Sequence, residues 1–308
     1  MKLYNKIKLK GLMMVIIISL INSGESVAQL SPMGAVYYQN QYLINPSMAG
    51  AQEGLRMDLG YSSQQTNMPG SPKTQIMTMG YRVNKVGMGL NVMIDQAGLI
   101  SRTRVMGTYA YHLPLNNDNG NLRFGLSLGL LKDRLTGDLY NGDQGDVSVA
   151  RFNERPAYID GDFGATYEKK ALTIQVAVPN LRSFFRSEDT FNANSVNQSN
   201  LFSAVSYKIS LSEQMGGIGL EPKLCYRGFT GFDDIVDLGT NVTLLDEKIS
   251  FMTMYHSSKN VSLGFGSKLN SMFHLNAVYR TGSAAFNGNT NGDFEINLRL
   301  NLNKKESK

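Results

Sequence analysis

Long runs in which apolar and polar residues take strict turns constrain this chain more than any other feature. "FEINLRLNL" sets Phe294, Ile296, Leu298, Leu300 and Leu302 on one side and Glu295, Asn297, Arg299 and Asn301 on the other. "LRMDLGYS" does the same with Leu55, Met57, Leu59 and Tyr61 against Arg56 and Asp58, as does "LRFGLSLGLL" from Leu122 to Leu131. A period of two marks a strand with one apolar face. Fourteen such segments follow Leu55, near 55–63, 74–83, 85–95, 102–112, 121–133, 158–168, 172–179, 200–210, 217–226, 234–245, 248–256, 260–269, 272–280 and 293–302. Most exceed the length of about 5–6 residues usual in soluble sheets. They match the about 9–11 tilted residues that cross an outer membrane. No amphipathic helix is expected after the N-terminal segment.

The connections carry an asymmetry. Tight ones follow the even segments, as at Asn84, Glu168–Ala171, Asp246-Glu247 and Asn270-Ser271, with a moderate one at "LPLNNDNG". Longer ones mostly follow the odd segments, at 64–73, 134–157, 180–199, 227–233 and 281–292, the short link near His256–Lys259 being the exception. Tight periplasmic turns and long surface loops are the pattern of an outer-membrane barrel. Tyrosines agree: Tyr61, Tyr226, Tyr255 and Tyr279 end odd segments, and Tyr81, Tyr111, Tyr167 and Tyr207 end even ones, all in the apolar register. Two such rings suit the two membrane interfaces. The expected fold is therefore all-β, a transmembrane outer-membrane β-barrel of about 14 antiparallel strands. A soluble periplasmic β-sandwich is the competing architecture.

The N-terminus has four Lys before an apolar run from Leu12 to Ile21, then Ser26-Val27-Ala28. That is the anatomy of a secretory signal peptide cleaved after Ala28. The expected division is 1–28 signal peptide, 29–54 periplasmic or plug segment, 55–302 barrel and 303–308 tail. Residues 1–28 hold four Lys and one Glu, so their removal lowers the formal net charge from +5 to +2. The basic balance then gives little support to nucleic-acid binding. Cys225 is alone, so no intramolecular disulfide forms, and with three His no zinc site or other metal or cofactor site is expected. "NGDQGD" (Asn141–Asp146) lacks the later Glu of a full calcium loop and reads as a solvated turn. No Gly-x-Ser-x-Gly elbow lies near His112, His256 or His274, so no enzyme is expected.

Two stretches stand out as contact sites. "NQYLINPSMAG" (Asn40–Gly50) is apolar and aromatic, yet Pro46 and Gly50 keep it out of a regular strand. It belongs in the lumen as a plug or on the periplasmic side as a docking segment. "RSFFRSEDTF" carries Phe184, Phe185 and Arg186, side chains of the kind that anchor interfaces, unless they fold over the barrel mouth instead.

Together, "YLINPSMAGAQEG", "PGSPKT", "KVGMGLNVMIDQAG", "YAYHLPL", "FGLSLGL" and "VAVPNL", in this order, make the chain resemble the PorP/SprF family of type IX secretion system outer-membrane proteins. One departure is Gln65, where the family usually carries an aromatic. The resemblance implies a non-enzymatic outer-membrane component of the secretion and gliding machinery. Its implied partners are a periplasmic peptidoglycan-binding lipoprotein and ring components, or a large secreted surface adhesin. The motif residues Tyr42, Asn45, Pro46, Gly50 and Pro72 join Phe184, Phe185 and Arg186 as partner-binding candidates. A channel for small hydrophobic or other solutes is the alternative function.

Overall fold

Each of the fourteen alternating segments forms a membrane crossing in the computed structural model, which describes residues 35–64, 70–115, 120–136, 147–182, 199–212, 217–229, 233–282 and 292–302. The strands are β1 (Gly54–Ser63), β2 (Lys73–Val83), β3 (Val86–Ala97), β4 (Ile100–Leu115), β5 (Gly120–Leu135), β6 (Tyr158–Lys169) and β7 (Leu172–Val178). They continue as β8 (Ser199–Tyr207), β9 (Ile209–Ser212), β10 (Ile218–Phe229), β11 (Ile235–Leu244), β12 (Ile249–His256), β13 (Asn260–Lys268), β14 (Phe273–Arg280) and β15 (Asp293–Leu302). Neighbours in sequence pair antiparallel, and β1 pairs with β15 from Leu55 opposite Leu302 to Ser63 opposite Phe294. The sheet is thereby closed, which leaves no open edge to the hydrocarbon.

The eighth crossing differs from its expected form. It is broken at Lys208 into β8 and β9, both paired with β10. The pairing lapses where Glu221 and Pro222 face the break, between Lys223 opposite Ser206 and Leu220 opposite Ile209. Pro222 has no N–H to give to the ladder. A second difference is a seven-residue helix, α1 (Val147–Asn153), within the 134–157 connection. The Asn153 side chain ties it to the end of β5, accepting from Leu135 N at 2.8 Å and donating to Leu135 O at 3.2 Å. Its sequence buries no residue, so it left no amphipathic signal.

Alternation along the strands puts apolar side chains outside and polar ones inside. In β5, Leu128 is 65% exposed while its neighbour Ser127 is 3% exposed. Tyr81, Tyr111 and Tyr207 face outward at the rim of tight turns, and Tyr61, Tyr255 and Tyr279 at the opposite rim; Tyr167 and Tyr226 are half-buried. The rims differ as the connections predict, although Gly98-Leu99 adds a second tight turn on the side of the long loops. No described helix is long and apolar enough to cross a membrane; the chain crosses with strands. Buried ion pairs brace the inner wall, among them Arg104–Asp162 at 2.6 Å and Arg102–Asp133 at 2.7 Å.

Because Leu128 lies at mid-strand on the lipid face, Leu128→Arg should destabilise the folded barrel by about 2–4 kcal/mol. Urea unfolding from lipid vesicles measures this, and an unchanged midpoint would argue against a lipid-facing surface there.

Candidate functional site

Residues 35–53 form no part of the sheet. They make three 3₁₀ turns, at Val36–Tyr38, Gln41–Leu43 and Pro46–Met48, and nearly every residue from Ala35 to Gly50 is buried. The third turn is set locally: Asn45 caps it by accepting from Ser47 N at 3.1 Å, and Pro46 follows at the first position. The segment reaches inward-facing residues around the whole wall. It begins in the half bearing the long loops, where Ala35 N donates to the Glu295 carboxylate at 3.0 and 3.1 Å. It leaves at the tight-turn end, where His112 Nε2 donates to Ala49 O at 3.0 Å. The chain's own N-terminal segment therefore plugs the lumen without filling it completely.

Three tyrosines anchor this plug. Tyr37 donates to Asp237 Oδ2 at 2.5 Å, Tyr38 to Glu221 O at 2.9 Å and Tyr42 to Thr108 Oγ1 at 2.7 Å. Burial is the main cause that raises the pKa of all three hydroxyls, so each remains a donor at physiological pH. Arg227 and Lys223 lie over the Tyr37 and Tyr38 rings at 5.1 and 4.2 Å. At the lower turns the plug touches backbone directly. A Cβ added to Gly125 would lie 2.2 Å from Pro46 C, one on Gly164 2.1 Å from Asn45 Oδ1, and one on Gly89 2.3 Å from the Tyr42 hydroxyl. Only glycine leaves room for the plug at those wall positions.

The candidate residues separate accordingly. Tyr42, Asn45, Pro46 and Gly50 come together, all inside the lumen. Asn45 donates to Thr166 Oγ1 at 3.1 Å and Gln175 Oε1 at 3.2 Å, and Gly50 has a φ of +63° where a side chain would strike Tyr81 O. While the segment sits here, the wall takes up the polar groups of Tyr42 and Asn45. Pro72 lies apart from them, buried at the start of β2 with its carbonyl accepting from Gln64 N at 2.9 Å. Phe184, Phe185 and Arg186 lie outside the described residues.

Sequence reasoning missed Tyr37, Tyr38 and their wall partners. Asp237 is the centre of that set. It accepts from Arg227 Nε and Nη2 at 2.8 and 3.0 Å, from Tyr37, and from His256 Nδ1 at 2.6 Å, while His256 Nε2 meets Ser262 Oγ at 2.8 Å. Carboxylate, imidazole and hydroxyl stand in the order that activates a nucleophile. Ser262 is fully buried, however, and Tyr37 and Arg227 share the same carboxylate. The arrangement can tie four neighbouring strands, β10 to β13, to the plug; it gives a substrate no approach to Oγ. The readable signal was Asp237 itself, an acid on the polar face of the 234–245 segment.

Beneath the plug, on the tight-turn side, a cavity of about 600 Å³ remains between the segment and the wall. Among the described residues no cluster of His, Cys, Asp or Glu is arranged to hold a metal ion.

A closed barrel with an apolar belt, tyrosine rims and a plugged polar lumen defines an outer-membrane β-barrel protein. The sequence profile of the type IX secretion system membrane protein PorP/SprF family matches residues 26–300, and the chain belongs to that family. No curated protein matches it in sequence. Among solved structures it is similar to the outer-membrane protein Omp33 of Acinetobacter baumannii, with 9% identity, TM-score 0.47, and coverage of 82% of this chain and 100% of that one. The Ralstonia pickettii toluene transporter TbuX gives 11%, 0.47, 90% and 96%. The monoaromatic hydrocarbon channel CymD gives 11%, 0.48, 92% and 95%.

Two substitutions test the plug. Asp237→Ala leaves Arg227 without its buried carboxylate and should cost about 3–5 kcal/mol in urea unfolding. Gly125→Leu should expel the segment, so that chymotrypsin, which should spare the wild type, cuts at Tyr37, Tyr38 or Tyr42 in a barrel that still migrates as folded. Unchanged protection would show that the segment does not depend on Gly125.

Proposed function

We propose that this chain is a non-enzymatic outer-membrane component of the type IX secretion and gliding machinery, serving as scaffold or partner for secretion components or for a secreted surface adhesin. The observation that carries this reading is the plugged lumen, in a barrel of a secretion-system family. A barrel stoppered by hydrogen bonds around its whole wall suits holding a partner better than passing a solute. In this reading residues 1–28 are a cleaved leader, 29–54 the N-terminal periplasmic or plug segment, 55–302 the barrel and 303–308 a tail. The peptidoglycan-binding lipoprotein and ring components meet the tight-turn rim on the periplasmic side. A large adhesin meets the long loops, with Phe184, Phe185 and Arg186 as contacts. Tyr42, Asn45, Pro46 and Gly50 contribute by holding the plug, and Pro72 by setting the loop before β2.

Liposome swelling and purification in mild detergent distinguish this from a solute channel. The wild type should leave vesicles impermeable to sugars and small aromatics and bring secretion components with it, whereas deletion of residues 29–50 should open the barrel. Solute-selective swelling by the wild type, with no secretion component co-purifying, would overturn the reading.

A further inference from the structure

The interruption between β8 and β9 keeps its register. Ser206 faces Lys223 before it and Ile209 faces Leu220 after it, so each strand advances three residues and neither slips. Only the pairs Tyr207–Pro222 and Lys208–Glu221 are missing from the ladder. Pro222 has no N–H to offer Tyr207. Lys208 N turns to the other side and donates to Ala171 O at 2.9 Å. Beyond the lapse β9 is held by three residue pairs with β10 and, alone among the described strands, has a single neighbour. A ladder that lapses without changing register can close or part at that point with no rearrangement elsewhere.

Tyr38 fastens the plug to β10 on both sides of Pro222. Its hydroxyl donates to Glu221 O at 2.9 Å. From the other side Lys223 Nζ donates to Tyr38 O at 3.4 Å and lies 4.2 Å from the centre of the ring. Lys223 is buried, and its carboxylate neighbour, Glu221 Oε1, stands at 4.0 Å, the outer limit of an ion pair. The ammonium therefore depends on the plug for its close contacts. A buried cation that loses its partners draws in water, so an empty plug site loosens the wall here first.

The cavity beneath the plug reaches the inner side of the same place, since Tyr38, Lys208, Ile209, Leu220 and Glu221 all line it. On the outer side Tyr207 is one of the rim tyrosines that mark the membrane interface at the tight turns. Lys208 and β9 follow it toward water, where solvent meets the backbone groups that a parted ladder bares. An opening is tolerated there, as it is not among the lipid chains.

We propose that the plug latches the wall at this interruption. While Tyr38 is seated, β8 and β9 stay against β10; withdrawal of the segment parts them and opens the cavity sideways at the tight-turn rim. The latch is independent of which component the barrel serves, so its failure leaves the secretion reading in place. The test is hydrogen–deuterium exchange, read by mass spectrometry, on the full-length protein in detergent. Tyr38→Ala should speed exchange of the amides in 208–212 and 218–223 by at least about tenfold and leave those of β3 to β5 unchanged. Tyr38→Phe, which keeps the ring beside Lys223, should act on the same amides to a smaller degree. Tyr42→Phe removes a plug hydroxyl bond made to Thr108 on β4, and should leave the interruption protected. Gly125→Leu, made in β5, should bare the same amides once chymotrypsin shows the segment expelled. For Tyr38→Ala, unchanged protection or equal acceleration in β3 to β5 overturns the proposal. So does the same acceleration from Tyr42→Phe, or an expelled segment beside an interruption that is still protected.

Discussion

Everything in this structure depends on one requirement: backbone N–H and C=O groups at membrane depth must find partners within the protein, because hydrocarbon offers none. The ladder between β1 and β15, nine residue pairs from Leu55–Leu302 to Ser63–Phe294, meets that requirement at the seam. A weak place in the sheet, opposite Pro222, shows the same rule by exception. A residue without an N–H removes a donor, and the eighth crossing divides there into β8 and β9. The flanking pairs resume on either side, so the lapse stays local.

Closure turns the usual arrangement of a soluble domain inside out. The apolar sides of the strands face lipid and contribute nothing to a central core, so the inside must be held by polar contacts. Charges there are costly to bury and persist because they are paired, as Arg227 is with Asp237. The plug uses the same groups. Tyr37 donates to the carboxylate that neutralises Arg227 and lays its ring under that guanidinium, so wall bracing and plug retention share one network. The small apolar clusters inside, such as Tyr37, Ile44, Phe202 and Met254, form where plug side chains meet inward-facing wall residues.

The strands were legible because lipid demands an apolar residue at every second position, over runs longer than soluble sheets usually carry. The break at Pro222 was present in the sequence as a proline inside an otherwise regular segment, but alternation alone outweighed it. The helix at Val147–Asn153 was not legible, since "VSVARFN" buries no face. The lumen was legible only by half. "NQYLINPSMAG" announced a segment unable to join a sheet, and Asn45 with Pro46 explains its last turn. That Ala35 N meets Glu295 across 260 positions of sequence depends on barrel registration, which no local pattern records. Likewise Tyr37 and Tyr38 read as two aromatics before the motif until the wall supplies Asp237 and the Glu221 carbonyl.

The plug and the pocket beneath it are parts of one construction. Gln39 O accepts from Arg299 Nη2 at 2.9 Å and from Arg56 Nη2 at 3.5 Å, the same guanidiniums that converge on Asp58. The plug backbone thus supplies part of the pocket lining, and the pocket's cations hold the plug backbone in turn. The plug runs from Glu295 toward His112 and exits beside β2 and β3, which leaves the side of the tight-turn end away from β3 and β4 unfilled. The amides of Asn241 and Asn276 line that unfilled side. The space is therefore a consequence of where the segment leaves the barrel: a plug leaving on the opposite wall would cover those amides and bare the glycine-lined wall at Gly87 and Gly89 instead.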